Sequence, residues 1–427
     1  LREQRTIWQQ VDWVVVAIYG LFVLLGWLNI YAADYDEDLQ ASIFSLSVNS
    51  GKQFLWIVTA ILIIIVIMTI DFRIYDSLAY VFYGIVIFFL VLVLFAGTKV
   101  AGSTSWFSIG GFRLQPSEFA KFVTCLALAK YMSKVNYKIA KPDNLIMTAA
   151  IIGLPAILII VQGDTGTALV FGALAIVLYR EGFNQAVFVI GIVAITLFVL
   201  TLLFAQTPLI IGIVTLGVIL MLVAFFTMRR GKWRRILTIL VGMLIVIAVV
   251  KSVDYFVTDV LKPHQQNRIK ALVNPEADPK GYGWNVIQSK IAIGSGGFFG
   301  KGFLNGTQTK FDFVPEQSTD FIFCTLGEEQ GWLGTTLVIS LFVVLILRLI
   351  RIAERQKEKF ARIYGYSVAS IILFHFMVNV GMTIGLFPVI GIPLPLFSYG
   401  GSSLWSFTIL IFIMVKIDSH RMQVLLR

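Results

Sequence analysis

The stretch LWIVTAILIIIVIMTI at residues 55–70 is apolar on every side, and runs of this kind recur along the chain. A helix needs about 20 apolar residues to cross a bilayer, and in hydrocarbon its backbone polar groups must be satisfied internally. About twelve such blocks occur, the first near residues 11–32 and the last near 404–414. A membrane barrel would alternate apolar and polar residues, which these runs do not. The expected fold is an all-α polytopic integral membrane protein of about 12 transmembrane helices, forming a single membrane domain over residues 1–427. A content of 58% hydrophobic and 14% charged residues excludes a soluble globular domain. The first block runs into Trp27, Asn29 and Tyr31 without a small-residue cleavage site, so it is expected to be a permanent span.

Charge placement orients the spans. With the N-terminal end inside, the basic stretches KVNYKIAK (134–141), RRGKWRR (229–235) and RLIRIAERQKEKFAR (348–362) all fall on the inner side, while DYDED (34–38) falls outside. The net charge of +10 therefore reflects membrane orientation and not a nucleic-acid footprint, because its clusters are split among short loops. Cys125 and Cys324 lie in or beside spans and are expected to pack as small apolar residues. His264, His375 and His420 are too scattered for a metal motif.

The longest extramembrane segment, residues 251–320, is expected to form a large structured extracytoplasmic loop with a helix-like stretch at 284–293. Its glycine run GSGGFFGKG (294–302) fails the Walker A pattern, which needs glycine where Ser295 stands and Ser or Thr where Gly302 stands, so nucleotide binding is rejected. Within NPEADPKGYGWN (274–285), Pro275 and Pro279 restrict their neighbours and hold Asp278 on a rigid turn. In QPSEFAK (115–121), Pro116 suits a helix's first turn, and the i,i+3 spacing lets Glu118 and Lys121 pair, either to fix helix packing or to bind substrate. Asp164 in QGDTGTA (162–168) sits at the junction of two spans, where a structural role is favoured, and Asp320 in PEQSTDFIF (315–323) precedes another span. Ionisable groups at such depth are costly unless they are paired or line a wet cavity.

These motifs, with GIPLPLFSYGGSS (391–403), resemble the SEDS family (shape, elongation, division, sporulation) in family order over nearly the whole chain. The resemblance implies a peptidoglycan glycosyltransferase of the bacterial cytoplasmic (inner) membrane, polymerising lipid II on the extracytoplasmic face during cell elongation. It further implies a class B penicillin-binding protein as partner within the elongation machinery. It maps the candidate catalytic acid onto Asp278, and a cavity-lining pair onto Glu118 and Lys121. Relative to a family core of ten spans, residues 186–228 read as an extra transmembrane hairpin. Ser318 stands where relatives commonly carry His, and Gly163 where Pro is common, which leaves that turn less rigid.

The chemistry has its own logic. An acceptor hydroxyl attacking the donor's anomeric carbon must lose a proton, which a placed carboxylate such as Asp278 accepts. The departing polyprenyl diphosphate gains negative charge, which Arg268, Lys290 or Lys301 can stabilise. A divalent cation, Mg2+ or Mn2+, is compatible with that task, although the sequence offers no ligand set for one. The competing expectation is a lipid-linked precursor flippase or transporter, with Glu118, Lys121 and Asp164 along an alternating-access path. A third is a scaffold for which Asp278 is dispensable.

Overall fold

The computed structural model describes residues 10–35, 42–100, 102–109, 112–204, 206–227, 231–255, 282–311 and 313–421, with positions 257, 259 and 266. The chain divides into two compact units, Leu1–Phe183 with Asn285–Arg427, and Asn184–Trp284. In the first unit, α1 (Trp13–Ala33) starts from Asp12, whose carboxylate accepts the Val15 N–H as an N-cap. Then come α2 (Asn49–Thr69), the short α3 (Arg73–Ser77), α4 (Ala79–Ala96) and three short strands, β1 (Thr98–Val100), β2 (Ser103–Ile109) and β3 (Phe112–Leu114). Helices α5 (Pro116–Met132) and α6 (Pro142–Val161) follow, then α7 (Thr165–Val170), a 3-10 turn at Phe171–Leu174 and α8 (Ala175–Arg180).

The second unit holds α9 (Gln185–Leu203), α10 (Gln206–Thr227) and α11 (Lys232–Tyr255). There the Met243 side chain of α11 seats on Gly217 of α10, where a Cβ would meet its sulfur at 2.6 Å. At the start of α11, Lys232 Nζ lies 4.4 Å from the centre of the Phe225 ring of α10. α12 (Tyr282–Ser295) covers the stretch expected to be helical, and α13 (Ile322–Glu354), α14 (Lys359–Thr383) and α15 (Gly401–Ser419) complete the order.

Among the described residues, nine helices are long and apolar enough to cross a membrane, against the twelve expected from hydropathy. The shortfall has local causes. α5 has only 17 residues and Thr165–Arg180 is interrupted by the 3-10 turn, while α9 is apolar along its 19 residues. The three-stranded antiparallel sheet, in order β1-β2-β3, was not anticipated in a chain read as all helix. It joins α4 to α5 and registers the chain so that Leu114 pairs with Phe107 just before Gln115 enters α5.

Helices α14 and α15 form the centre of the first unit: 72% and 78% of their spanning windows are buried, against 17% for α4, which presents apolar residues outward. At one end of the bundle an ionic cluster ties α1, α13 and α15 together. Arg348 Nε donates to Asp12 at 3.0 Å, Arg355 bridges Asp12 and Asp418, and Gln356 donates to Asp418 at 2.8 Å. Burial alone would raise the Asp12 carboxyl; the Arg348 hydrogen bonds and the charges of Arg348 and Arg355 outweigh it and hold it below the usual carboxylate range.

Candidate functional site

Helix α5 begins with Pro116 at its first turn, where the missing N–H costs nothing, so Glu118 falls at the positive end of the helix and Lys121 one turn further. Lys121 Nζ donates to Glu118 Oε2 at 2.7 Å. Lys121 is fully buried and Glu118 is 3% exposed, so the pair lies within the helix packing. Lys121 Nζ also lies 3.2 Å from His375 Nε2 on α14 and 4.5 Å from the centre of the Phe407 ring on α15. The Ser406 hydroxyl donates to the Glu118 carbonyl at 2.6 Å. Three helices therefore converge on one buried charge pair.

His375 is the member that the sequence did not single out. Its signal is a lone ionisable residue within an apolar helix, which needs a partner, and that partner is remote in sequence.

Asp164 and Gln115 form a second junction. Gly163, with φ +88°, follows the C-cap Gln162 of α6, its N–H donating to Ile160 O at 2.9 Å while Asp164 N–H reaches Ile159 O at 3.1 Å. This is a Schellman end, which needs a residue that tolerates positive φ, and it explains why glycine serves here and proline would not. Asp164 then caps α7, accepting from the Thr167 N–H at 3.0 Å and the Thr167 hydroxyl at 2.8 Å, and takes the Gln115 amide at 2.9 Å. The expectation of a loosened turn at Gly163 is thus replaced by a fixed one, with Asp164 as its brace.

The segment at 390–400, without regular secondary structure, is held from several sides. His375 Nδ1 lies 3.1 Å from Pro393 O, and Asn379 donates to Ile392 O and Asp320 O, each at 2.8 Å. Tyr399 N–H reaches Ser318 O at 2.9 Å and Gly400 N–H reaches Gln53 Oε1 at 3.2 Å, and just beyond the segment, in the first turn of α15, Ser402 Oγ accepts from Gln115 N–H at 3.2 Å. A Cβ at Gly166 would come 2.6 Å from Ile390 O, and one at Gly26 the same distance from Phe397 O. Asp320 thus enters through its carbonyl as a brace for α14, and the buried Ser318 accepts from Asn49 through its hydroxyl at 3.5 Å.

The glycine run has a packing explanation. A Cβ at Gly296 or Gly300 would lie 2.0 Å from the carbonyl oxygens of Gly327 and Glu329, while Lys301 N–H donates to Glu328 O at 3.0 Å and Trp332 N–H to Gly297 O at 2.9 Å. α13 breaks helical geometry at Gly331 (φ +63°) to admit this contact. Lys301 Nζ donates to the buried Glu328 carboxylate at 2.6 Å, and Glu328 also accepts from the backbone N–H groups of Thr307, Gln308 and Thr309. Lys301 is therefore engaged in a local structural network. Lys290 on α12 is exposed and lies across Gly385, where a Cβ would meet its Nζ at 2.7 Å. Asp278 and Arg268 lie outside the described residues. Cys125 and Cys324 are free and buried, and no cluster of three or more metal-ligating side chains occurs among the described residues.

A bundle of apolar helices closed around a buried charge pair and a cross-braced polar loop defines a polytopic helical membrane protein with an internal polar centre. The chain belongs to the FTSW_RODA_SPOVE family of cell cycle proteins, whose model matches residues 12–209 and 188–423. It is 34% identical to the peptidoglycan glycosyltransferase RodA of Treponema pallidum, covering 96% of this chain and 98% of the relative. It is 33% identical to the peptidoglycan glycosyltransferase MrdB of Escherichia coli, over 86% and 84%. Its fold is shared with the rod shape determining protein RodA of Thermus thermophilus, with a TM-score of 0.61, 24% identity and coverage of 96% and 97%. A chain from a peptidoglycan synthase complex that coordinates polymerization and crosslinking superposes with a TM-score of 0.70 at 24% identity, covering 97% and 99%.

Proposed function

We propose that this chain is a peptidoglycan glycosyltransferase that polymerises lipid II into glycan strands during cell elongation and shape maintenance. The observation that carries the reading is near-full-length similarity to two glycosyltransferases, joined to a charge pair sealed inside a membrane bundle. Lipid-linked substrates require an enzyme that accepts a polyprenyl tail from the bilayer and a sugar head from water.

Asp278 is the general base. Its carboxylate takes the proton of the acceptor hydroxyl as that oxygen bonds to the donor's anomeric carbon, and the bond from that carbon to the diphosphate oxygen breaks. The leaving diphosphate needs a cation, and exposed Lys290 suits this better than Lys301, which Glu328 already engages. Glu118 and Lys121 hold α5 against α14 and α15 and so set the centre beneath the reacting groups. A class B penicillin-binding protein supplies the crosslinking partner, in keeping with the synthase complex whose chain shares this fold. The membrane is the bacterial cytoplasmic membrane, with the reaction on its outer face.

Purified chain incubated with lipid II, alone and with its transpeptidase, is expected to yield glycan polymer; no polymer under either condition would remove the assignment. Topology is checked separately. A cysteine replacing Asp278 is expected to react with an impermeant thiol reagent in spheroplasts and one replacing Lys232 to be protected, because the basic loops stay inside. The reverse labelling pattern would overturn the orientation.

A further inference from the structure

We propose that His375 is a positioning residue for Lys121: a neutral imidazole whose one nitrogen is tied to the 390–400 loop and whose other nitrogen sets where the buried ammonium points. This deepens, and rests on, the glycosyltransferase reading. The tautomer follows from the partners. Pro393 O can only accept, so Nδ1, 3.1 Å away, carries the proton and donates. Nε2 then presents a lone pair 3.2 Å from Lys121 Nζ, and the ammonium donates to it. A doubly protonated ring would set an N–H against that ammonium, so the arrangement requires the neutral form.

The rest of the shell fixes the ring and the ammonium together. His375 and Phe407 pack with their rings perpendicular, ring centres 4.9 Å apart, and the same Phe407 ring receives the Lys121 charge. One turn along α14, Asn379 donates to Ile392 O, so two side chains on one helix face hold consecutive carbonyls of the loop. A flexible lysine side chain bound only to Glu118 would keep rotational freedom about its stem. A rigid ring bonded on opposite edges removes it and makes the ammonium's position depend on the loop. Fixing such a group matters because a displacement of about 1 Å can cost on the order of 100-fold in rate.

The test uses His375→Phe, His375→Asn and His375→Gln in the full chain. Gln places an acceptor oxygen near the Nε2 position, Asn places a donor near Nδ1 and leaves Lys121 without an acceptor at the Nε2 position, so that only Glu118 holds it, and Phe supplies neither. Polymerisation of lipid II over a substrate series is expected to show kcat reduced about 10- to 100-fold in the Phe and Asn variants. KM and the melting temperature should stay near the wild-type values, and Gln should recover most of the lost rate. Lys121 reactivity toward a small membrane-permeant acylating reagent, mapped by mass spectrometry, should rise in the Phe and Asn variants and stay low in wild type and Gln.

Equal acylation of Lys121 in all four proteins would overturn the proposal, as would Asn and Gln variants with the same kcat. Should the Phe variant fail to fold, the Asn and Gln pair decides alone. Acylation does not depend on turnover, so an inactive wild type would sink the glycosyltransferase reading while leaving the His375 assignment to be judged on Lys121 reactivity.

Discussion

Asp278→Asn is expected to express normally, bind lipid II nearly as well as wild type and fail to polymerise it. The amide keeps the size and most of the hydrogen bonding of the carboxylate but cannot take the acceptor's proton. Removing a general base typically costs on the order of 10² to 10⁴ in rate, a loss that gel analysis of glycan products separates from any modest change in yield. Glu276→Gln, two residues away between the same two prolines, is expected to remain active. Wild-type polymerisation by Asp278→Asn would return this acid to the status of a structural turn residue.

The second large effect falls on the sealed ion pair. Glu118→Ala strands the Lys121 ammonium against an imidazole nitrogen and an aromatic face, and Lys121→Ala strands the Glu118 carboxylate beside its own helix start. Breaking a buried pair by removing one partner costs about 3 to 5 kcal/mol. Each single variant should therefore show a lowered melting temperature in detergent. The neutral double change Glu118→Gln with Lys121→Met should recover much of that stability, because no charge remains buried. The swap Glu118→Lys with Lys121→Glu should recover less, since a carboxylate at position 121 would face the acceptor Nε2 of His375. Single alanine variants with unaltered melting and full activity would show that neither packing nor substrate handling depends on the pair.

The helices and the Glu118–Lys121 contact were legible in the sequence because both are local. A run of apolar residues has few other solutions in a bilayer, and i,i+3 spacing on a helix brings the two side chains together whatever surrounds them. What escaped depends on remote partners or on interrupted periodicity. His375 meets Lys121 across 254 residues, and nothing near it in the chain announces that contact. β1 and β3 have three residues each and the seven of β2, STSWFSI, keep no strict apolar–polar alternation, and the span at Thr165–Arg180 is broken by a 3-10 turn that hydropathy averages over. Asp164 makes three hydrogen bonds, to Thr167 and Gln115, and the fixed turn before it depends on a positive φ that residue spacing does not reveal.

The braced segment at 390–400 carries a consequence for how the chain is made. Its partners reach back to Gly26, Gln53, Gly166 and Ser318, all synthesised well before it. A ribosome feeding these helices into the bilayer in order delivers Gln53 and the Ser318 carbonyl to the membrane while the groups that will bond them are still untranslated. Until the last helices arrive, those polar groups must rely on water or on borrowed contacts, which hydrocarbon scarcely provides. Final closure of the first unit is therefore a late event, set by the arrival of one loop and not by the sequential packing of neighbours. Membrane proteases that survey unassembled spans have their longest opportunity in that interval.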